Sequence, residues 1–269
     1  MPRSYAFRGA YYAASVAFVL AALPLLAWPS RTPLTRWIRL YARVMTALMR
    51  AVGGVDVTVR GRDRMPTGPV ILAAKHQSWG DGFVTYGAVS DLAFVCGDHL
   101  TRIPLLGGIL SKLGAVVVNN CGGAEARGDM ASQLARLASE GRSVLIYPEG
   151  HLAPVGQHHR YRRGVWHLHQ ATGLPVVPVA TDLGLRWPQA ALALRPGPCS
   201  VEFLPAIPQG LAKEEFMATL EARIEARSLA MIAEQRAAGT LPAGWRQPEE
   251  RAAPAPRAPS ARRGGRVPA

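Results

Sequence analysis

A chain of 269 residues, about half of them hydrophobic, is long enough for one large α/β domain and too apolar to be disordered as a whole. Its formal charge of +13, from 31 Lys+Arg against 18 Asp+Glu, asks for an anionic partner, with nucleic acid or anionic lipid headgroups foremost and acidic soluble substrates third. Cys96, Cys121 and Cys199 are scattered, with no CxxC or Cys/His spacing, which argues against a disulfide framework and a metal site.

Gly9 to Trp28 is a 20-residue run without a charge, flanked by Arg3, Arg8 and Arg31. Twenty helical residues span about 30 Å, the thickness of a bilayer core. A cleaved signal peptide or a buried core helix also fits, but the run outlasts a usual signal-peptide apolar region. Pro33 to Val52 reads as a second helix, with Thr32 as its N-cap, Pro33 in its first turn and Gly53-Gly54 ending it. Arg36, Arg39, Arg43 and Arg50 form one stripe opposite Trp37, Ile38, Tyr41, Met45 and Leu48, as suits a helix in a membrane interface or one docked on a domain.

From Val55 the texture changes. β-rich runs at Val55–Val59, Val70–Ala74, Leu92–Cys96, Ala115–Val118, Ser143–Tyr147, Val176–Ala180 and Ser200–Leu204 alternate with helical stretches at Asp129–Ser139 and Gly164–Thr172. A long helix is expected from Ala212 to about Arg236. This alternation predicts an α/β fold with a mixed, largely parallel sheet flanked by helices. The Pro, Ala, Arg and Gly tail cannot bury enough apolar surface to fold. The predicted organisation is therefore membrane-anchoring helices over 1–54, a catalytic-type domain over 55–240 and a disordered basic tail over 241–269.

The sharpest local signal is Lys75-His76-Gln77-Ser78-Trp79-Gly80-Asp81, directly after an apolar run. Residues five apart on a helix point about 140° away from each other, so His76 and Asp81 can meet only if the chain turns at Gly80. Loops leaving strand ends are where α/β sheets hold ligands. A positioned imidazole can take the proton of a hydroxyl nucleophile, and a carboxylate on its other nitrogen fixes the tautomer. A second signal, Tyr147-Pro148-Glu149-Gly150, follows another strand. Arg160, Arg162 and Arg163 precede a helix start at Gly164, where an anion would be favoured. A third, Ile103-Pro104-Leu105-Leu106-Gly107-Gly108 with Lys112 beyond it, reads as a Pro-opened turn and short helix.

In order and spacing these blocks resemble the lysophospholipid acyltransferases related to 1-acylglycerol-3-phosphate acyltransferase. His76 and Asp81 match the family's His-x4-Asp, Ile103 to Asn120 its second block, Tyr147–Gly150 its Phe-Pro-Glu-Gly block, and Leu174-Pro175-Val176-Val177-Pro178-Val179 its Pro-bearing strand. The resemblance covers roughly Val55 to Ile207. It implies a His general base, an orienting Asp, a lysolipid acceptor held partly by Glu149 and Gly150, and acyl-CoA or acyl carrier protein as co-substrate, with no cofactor and no metal. It also implies attachment to an anionic membrane surface, with the catalytic domain on the cytoplasmic side of the inner membrane, and no nucleic acid partner; no aromatic-basic strand motif or recognition helix speaks for one.

Two departures bear on the acceptor. The family's second block ends in arginine, where this chain has Asn119-Asn120, and its third continues Thr-Arg, where this chain has His151-Leu152. An amide carries no charge, and leucine offers neither charge nor hydrogen bond. Either Lys112, Arg160, Arg162 and Arg163 hold an acceptor phosphate instead, or the acceptor is phosphate-free, as lyso-ornithine lipid is.

Overall fold

The computed structural model describes residues 2–118, 132–133, 136–137, 139–189 and 194–246. Asn119, Asn120 and Cys121 lie outside the described residues, as do 129–131 and three further positions of the helix expected over 129–139.

Seven strands form one sheet: β1 (Val55–Arg60), β2 (Ile71–Ala74), β3 (Leu92–Gly97), β4 (Val116–Val118), β5 (Ser143–Ile146), β6 (Val176–Thr181) and β7 (Gly197–Phe203). Their spatial order is β1-β7-β6-β2-β5-β3-β4. All neighbours are parallel except β6 and β7, so β1 and β7 run against the other five. The mixed, largely parallel sheet read from the sequence is therefore present.

Strand periodicity assigns the two faces. Val70, Leu72 and Ala74 enter one core with Met49 and Val84. Their alternates Ile71 and Ala73 enter the other with Val165, Leu168, Phe216, Leu220 and Ile224. The first core is covered by α2 (Thr32–Ala51) and α3 (Asp81–Ala88), the second by α6 (Gly164–Thr172) and α7 (Lys213–Ala237). Both α4 (Asp98–Thr101) and α5 (Leu106–Leu113) follow β3 and return the chain to β4. β2 lies at the centre of the sheet, covered on both faces, which is why its four residues are all buried.

The N-terminal helix α1 (Pro2–Leu26) is long and apolar enough to cross a membrane. It is nevertheless docked near both ends. Phe7 packs edge-on against Trp187, with ring centroids 5.2 Å apart, and Ala22 is buried with Leu34, Ile109 and Leu113. Tyr5, Tyr12, Val16 and Leu20 stay exposed on its outward side. This changes the reading of α2. Its apolar residues Leu34, Ala42, Met45 and Met49 are buried in protein, so the arginine stripe marks a docked amphipathic helix, and the exposed apolar surface belongs to α1. Amphipathicity reports burial; it does not say whether protein or lipid covers the apolar side. Thr32 is also not the N-cap: Arg31 holds that position, with no side-chain cap hydrogen bond.

At the other end, the folded domain runs past the expected boundary at 240. Leu241 and Trp245 pack against Val155, Leu185 and Ile232, two apolar anchors inside a Pro/Gly-rich segment. The rest of the basic tail, from 247, is outside the described residues.

Candidate functional site

Because β2 and β5 are adjacent and parallel, the chain leaves both at the same edge of the sheet. One exit is the loop Lys75–Gly80 and the other is the turn Tyr147–Gly150. Asp81 is the first residue of α3. Its Oδ2 accepts the backbone N–H of Gln77 at 2.7 Å and of Ser78 at 2.8 Å, and lies 3.1 Å from Nδ1 of His76. The Ser78 hydroxyl accepts the Gly80 N–H at 3.0 Å, tightening the same turn. One carboxylate oxygen thus folds the loop and draws the imidazole onto it. An ionised carboxylate only accepts, so Nδ1 carries the proton and Nε2 presents a lone pair. The His76 side chain is 21% exposed, and Nε2 has no hydrogen-bond partner among the described residues.

Tyr147 lies flat on the imidazole, with centroids 3.9 Å apart and an interplanar angle of 18°. Its hydroxyl is buried without a partner among the described residues. Burial, and after it the charge of Asp81, push this phenol well above its ordinary pKa of 10, so it stays neutral. Oδ1 of Asp81 is likewise buried and unpartnered.

Beneath the His76 loop lies a charged centre. Lys75, its side chain fully buried, donates to Glu149 at 3.1 Å, to Glu225 on α7 at 2.9 Å and to the Gln157 carbonyl at 2.9 Å. Glu149 also accepts the backbone N–H of His76 at 3.3 Å and of His159 at 2.8 Å. Burial raises the Glu149 pKa, opposed by Lys75 and by those two amides. Tyr161 donates to Glu225 at 2.7 Å and closes the cluster. Glu149, expected on the acceptor, has a side chain with no exposure; it holds the two exit loops together. A further bond from the Ala153 N–H to the His76 carbonyl, at 2.7 Å, pins the loop from the β5 side.

The other site candidates separate in space. Gly150 takes φ +72°, and a Cβ there would sit 2.8 Å from the Arg162 guanidinium carbon. The positive φ is one that glycine adopts without strain, and the Arg162 side chain lies over it. Arg162 also donates to Nε2 of His151 at 3.0 Å, so it covers the turn that follows Glu149. Arg163 is the N-cap residue of α6, and Arg160 is exposed. Lys112 is elsewhere: its ammonium donates to the Trp28 carbonyl at 2.6 Å and lines a cavity with Arg31, Arg36 and Arg39.

The Lys75 centre and the Tyr147 stack escaped the sequence reading. A lysine directly after a strand buried on both faces was the available signal, because a buried ammonium requires carboxylates. Nothing local names Glu225 as one of them.

Comparison with known proteins places this arrangement. A family model described as Acyltransferase matches residues 56–182. A 1-acyl-sn-glycerol-3-phosphate acyltransferase of Pseudomonas aeruginosa is 33% identical over 186 residues, covering 69% of this chain and 72% of that protein. One from Limnanthes douglasii is 25% identical over 195 residues, covering 72% of this chain and 68% of that protein. The crystal structure of the 1-acyl-sn-glycerophosphate acyltransferase PlsC from Thermotoga maritima matches with a TM-score of 0.70 over 86% of this chain and 97% of that one. At 19% identity, that last likeness is one of fold.

Proposed function

The chain belongs to the lysophospholipid acyltransferase family, and from that premise we propose that it acylates the free hydroxyl of 1-acyl-sn-glycerol 3-phosphate to give phosphatidate. The donor in this reading is a thioester, acyl-CoA or acylated carrier protein. The observation that carries it is the imidazole held by Asp81 with Nε2 free at the end of the central strand. Nε2 takes the acceptor's hydroxyl proton as the oxygen attacks the thioester carbonyl. The tetrahedral intermediate collapses, the C–S bond breaks, and the imidazolium returns its proton to the departing thiolate. Asp81 stabilises the imidazolium between those two transfers. The outward apolar side of α1 supports work at a membrane; in this reading the catalytic domain lies on the cytoplasmic side of the inner membrane.

Acyl transfer on isolated membranes, with lysophosphatidate and lyso-ornithine lipid offered side by side, tests the acceptor. The phosphate-free acceptor is a second reading because His151-Leu152 replaces a cation-bearing segment. Arg162, seated against Gly150, supports the first. Replacing Arg162 and Arg163 with Gln should raise KM for lysophosphatidate by at least about tenfold, since hydrogen bonds to a charged group contribute about 1.5–3 kcal/mol. Equal loss on both acceptors would remove the arginines from phosphate recognition.

A further inference from the structure

The edge of the sheet opposite His76 holds a cavity of about 600 Å³ lined by Arg31, Arg36, Arg39, Lys112, Thr35 and Asp91, among others. Asp91 immediately precedes β3, whereas His76 follows β2, and these strands run the same way. The cavity is therefore separate from the catalytic edge.

Three observations give it an unmet demand for negative charge. First, Arg36 and Arg39 make no ion pair among the described residues. Asp91, the one acid in the lining, is already shared by Arg31 at 3.7 Å and Arg142 at 3.0 Å. Second, Thr35 is 8% exposed, and among the described residues neither its Oγ1 nor the buried Nε of Arg39 has a hydrogen-bond partner. Third, the 20-residue helix α2 opens here with no side-chain cap and no acidic residue in its first turn, leaving the positive end of its dipole uncompensated.

A donor hydroxyl, guanidinium groups and a bare helix N-terminus together suit a tetrahedral phosphate. The position of the cavity indicates the source. Its wall at Pro29 and Ser30 adjoins Trp28, which is 56% exposed, at the end of the helix whose outward side carries Tyr12, Val16 and Leu20. An exposed tryptophan at the end of an apolar surface suits the headgroup level of a bilayer. We propose that this cavity binds the phosphate of an anionic membrane phospholipid, with Thr35, Arg36 and Arg39 as its ligands, and so fixes the protein's seat on the membrane apart from the catalytic acceptor site. The inference concerns membrane contact only and is read without turnover, so its failure leaves the acyl-transfer reading standing.

Flotation of the full-length protein with vesicles tests it, comparing phosphatidylcholine alone with phosphatidylcholine containing phosphatidylglycerol. The wild type should prefer the anionic vesicles. R36Q/R39Q should lose at least about tenfold of that preference, given the usual strength of two basic groups at an anionic surface. R43Q/R50Q removes the same charge from the same helix outside the cavity and should lose clearly less. Thr35→Val changes no charge and should still weaken anionic binding about fivefold or more, through the lost hydrogen bond to phosphate. Thermal unfolding in detergent checks that each variant is folded. Equal losses in the two double variants, with Thr35→Val unaffected, would show diffuse charge attraction and overturn the site. Abolition of the preference by free inorganic phosphate or coenzyme A at low concentration would assign the cavity to a soluble ligand and overturn the lipid source.

Discussion

Two of the buried cations among the described residues, Lys75 and Arg186, are matched in opposite ways. Lys75 is surrounded by charge, donating to the carboxylates of Glu149 and Glu225. Arg186, equally buried, is surrounded by neutral acceptors: the carbonyls of Pro196, Pro198 and Thr240 and the side chain of Gln235. Its carboxylate, Asp182, is reached through Gln235, which donates to it at 2.6 Å. What each centre holds also differs. The Arg186 centre ties the end of α7 to the strand β7 and touches no reactive group. The Lys75 centre passes its order to the His76 backbone through Glu149. Damage at Lys75 should therefore move stability and turnover together, and damage at Arg186 should move stability alone.

The largest expected effect isolates chemistry from that scaffold. His76→Ala should lower kcat by about 10²–10⁴-fold, the usual contribution of a general base, with little change in Tm. Near-normal turnover in that variant would refute the mechanism. Lys75→Met comes next. It strands two carboxylates in the interior and should cost about 3–5 kcal/mol of stability, with kcat falling as well because the His76 loop loses its brace. Arg186→Met should cost about 1–3 kcal/mol for each buried neutral acceptor it leaves unpaired, while kcat per folded enzyme holds. Denaturant titration with active-site-normalised kinetics reads both quantities. A fall in kcat for Arg186→Met matching that for Lys75→Met would erase the distinction.

A subtler test uses pH. Burial raises the Glu149 pKa above its ordinary value, so the folded protein holds that proton more tightly than the unfolded chain. Such a group favours the fold below the unfolded carboxylate pKa of about 4.3, and the contribution is lost as pH rises through the higher folded value. Glu149→Gln removes this dependence. The stability of wild type relative to Glu149→Gln should therefore be greater near pH 4 than near pH 8, when both are measured by denaturant unfolding. The opposite slope would mean that Lys75 and the amide donors outweigh burial.

How much of this was legible in the sequence follows from how local each feature is. The β-rich runs marked all seven strands, and Gly164–Thr172 matched α6, because alternation and apolar runs are properties of neighbours along the chain. The His76 and Asp81 pair was legible too, together with the need for a turn at Gly80. Residues meeting across the fold were not. Glu225 reaches Lys75 from 150 positions away. The cover over α2's apolar side is likewise a tertiary fact. Tyr147 read as one aromatic before Pro148; its stacking on His76 depends on β2 and β5 being neighbours, and that strand order is not written in either segment.

The smallest expected effect concerns that stack. Tyr147 offers His76 a ring face and a hydroxyl, and the two can be separated. The hydroxyl is buried and unpartnered, so it contributes a desolvation cost that Phe avoids, while Phe keeps the ring. Tyr147→Phe should thus leave kcat within about threefold of wild type and hold or raise Tm, because an unsatisfied buried polar group costs about 1–3 kcal/mol. Tyr147→Ala removes the face that confines the imidazole, and a misplaced base should lower kcat by about tenfold or more. That pair of results would mean that shape orients the ring from one side while Asp81 holds it from the other. A tenfold loss in Tyr147→Phe would instead give the hydroxyl a part in turnover. The unpartnered Oδ1 of Asp81 would be its natural partner, and the phenol would join Asp81 as a positioning residue for His76.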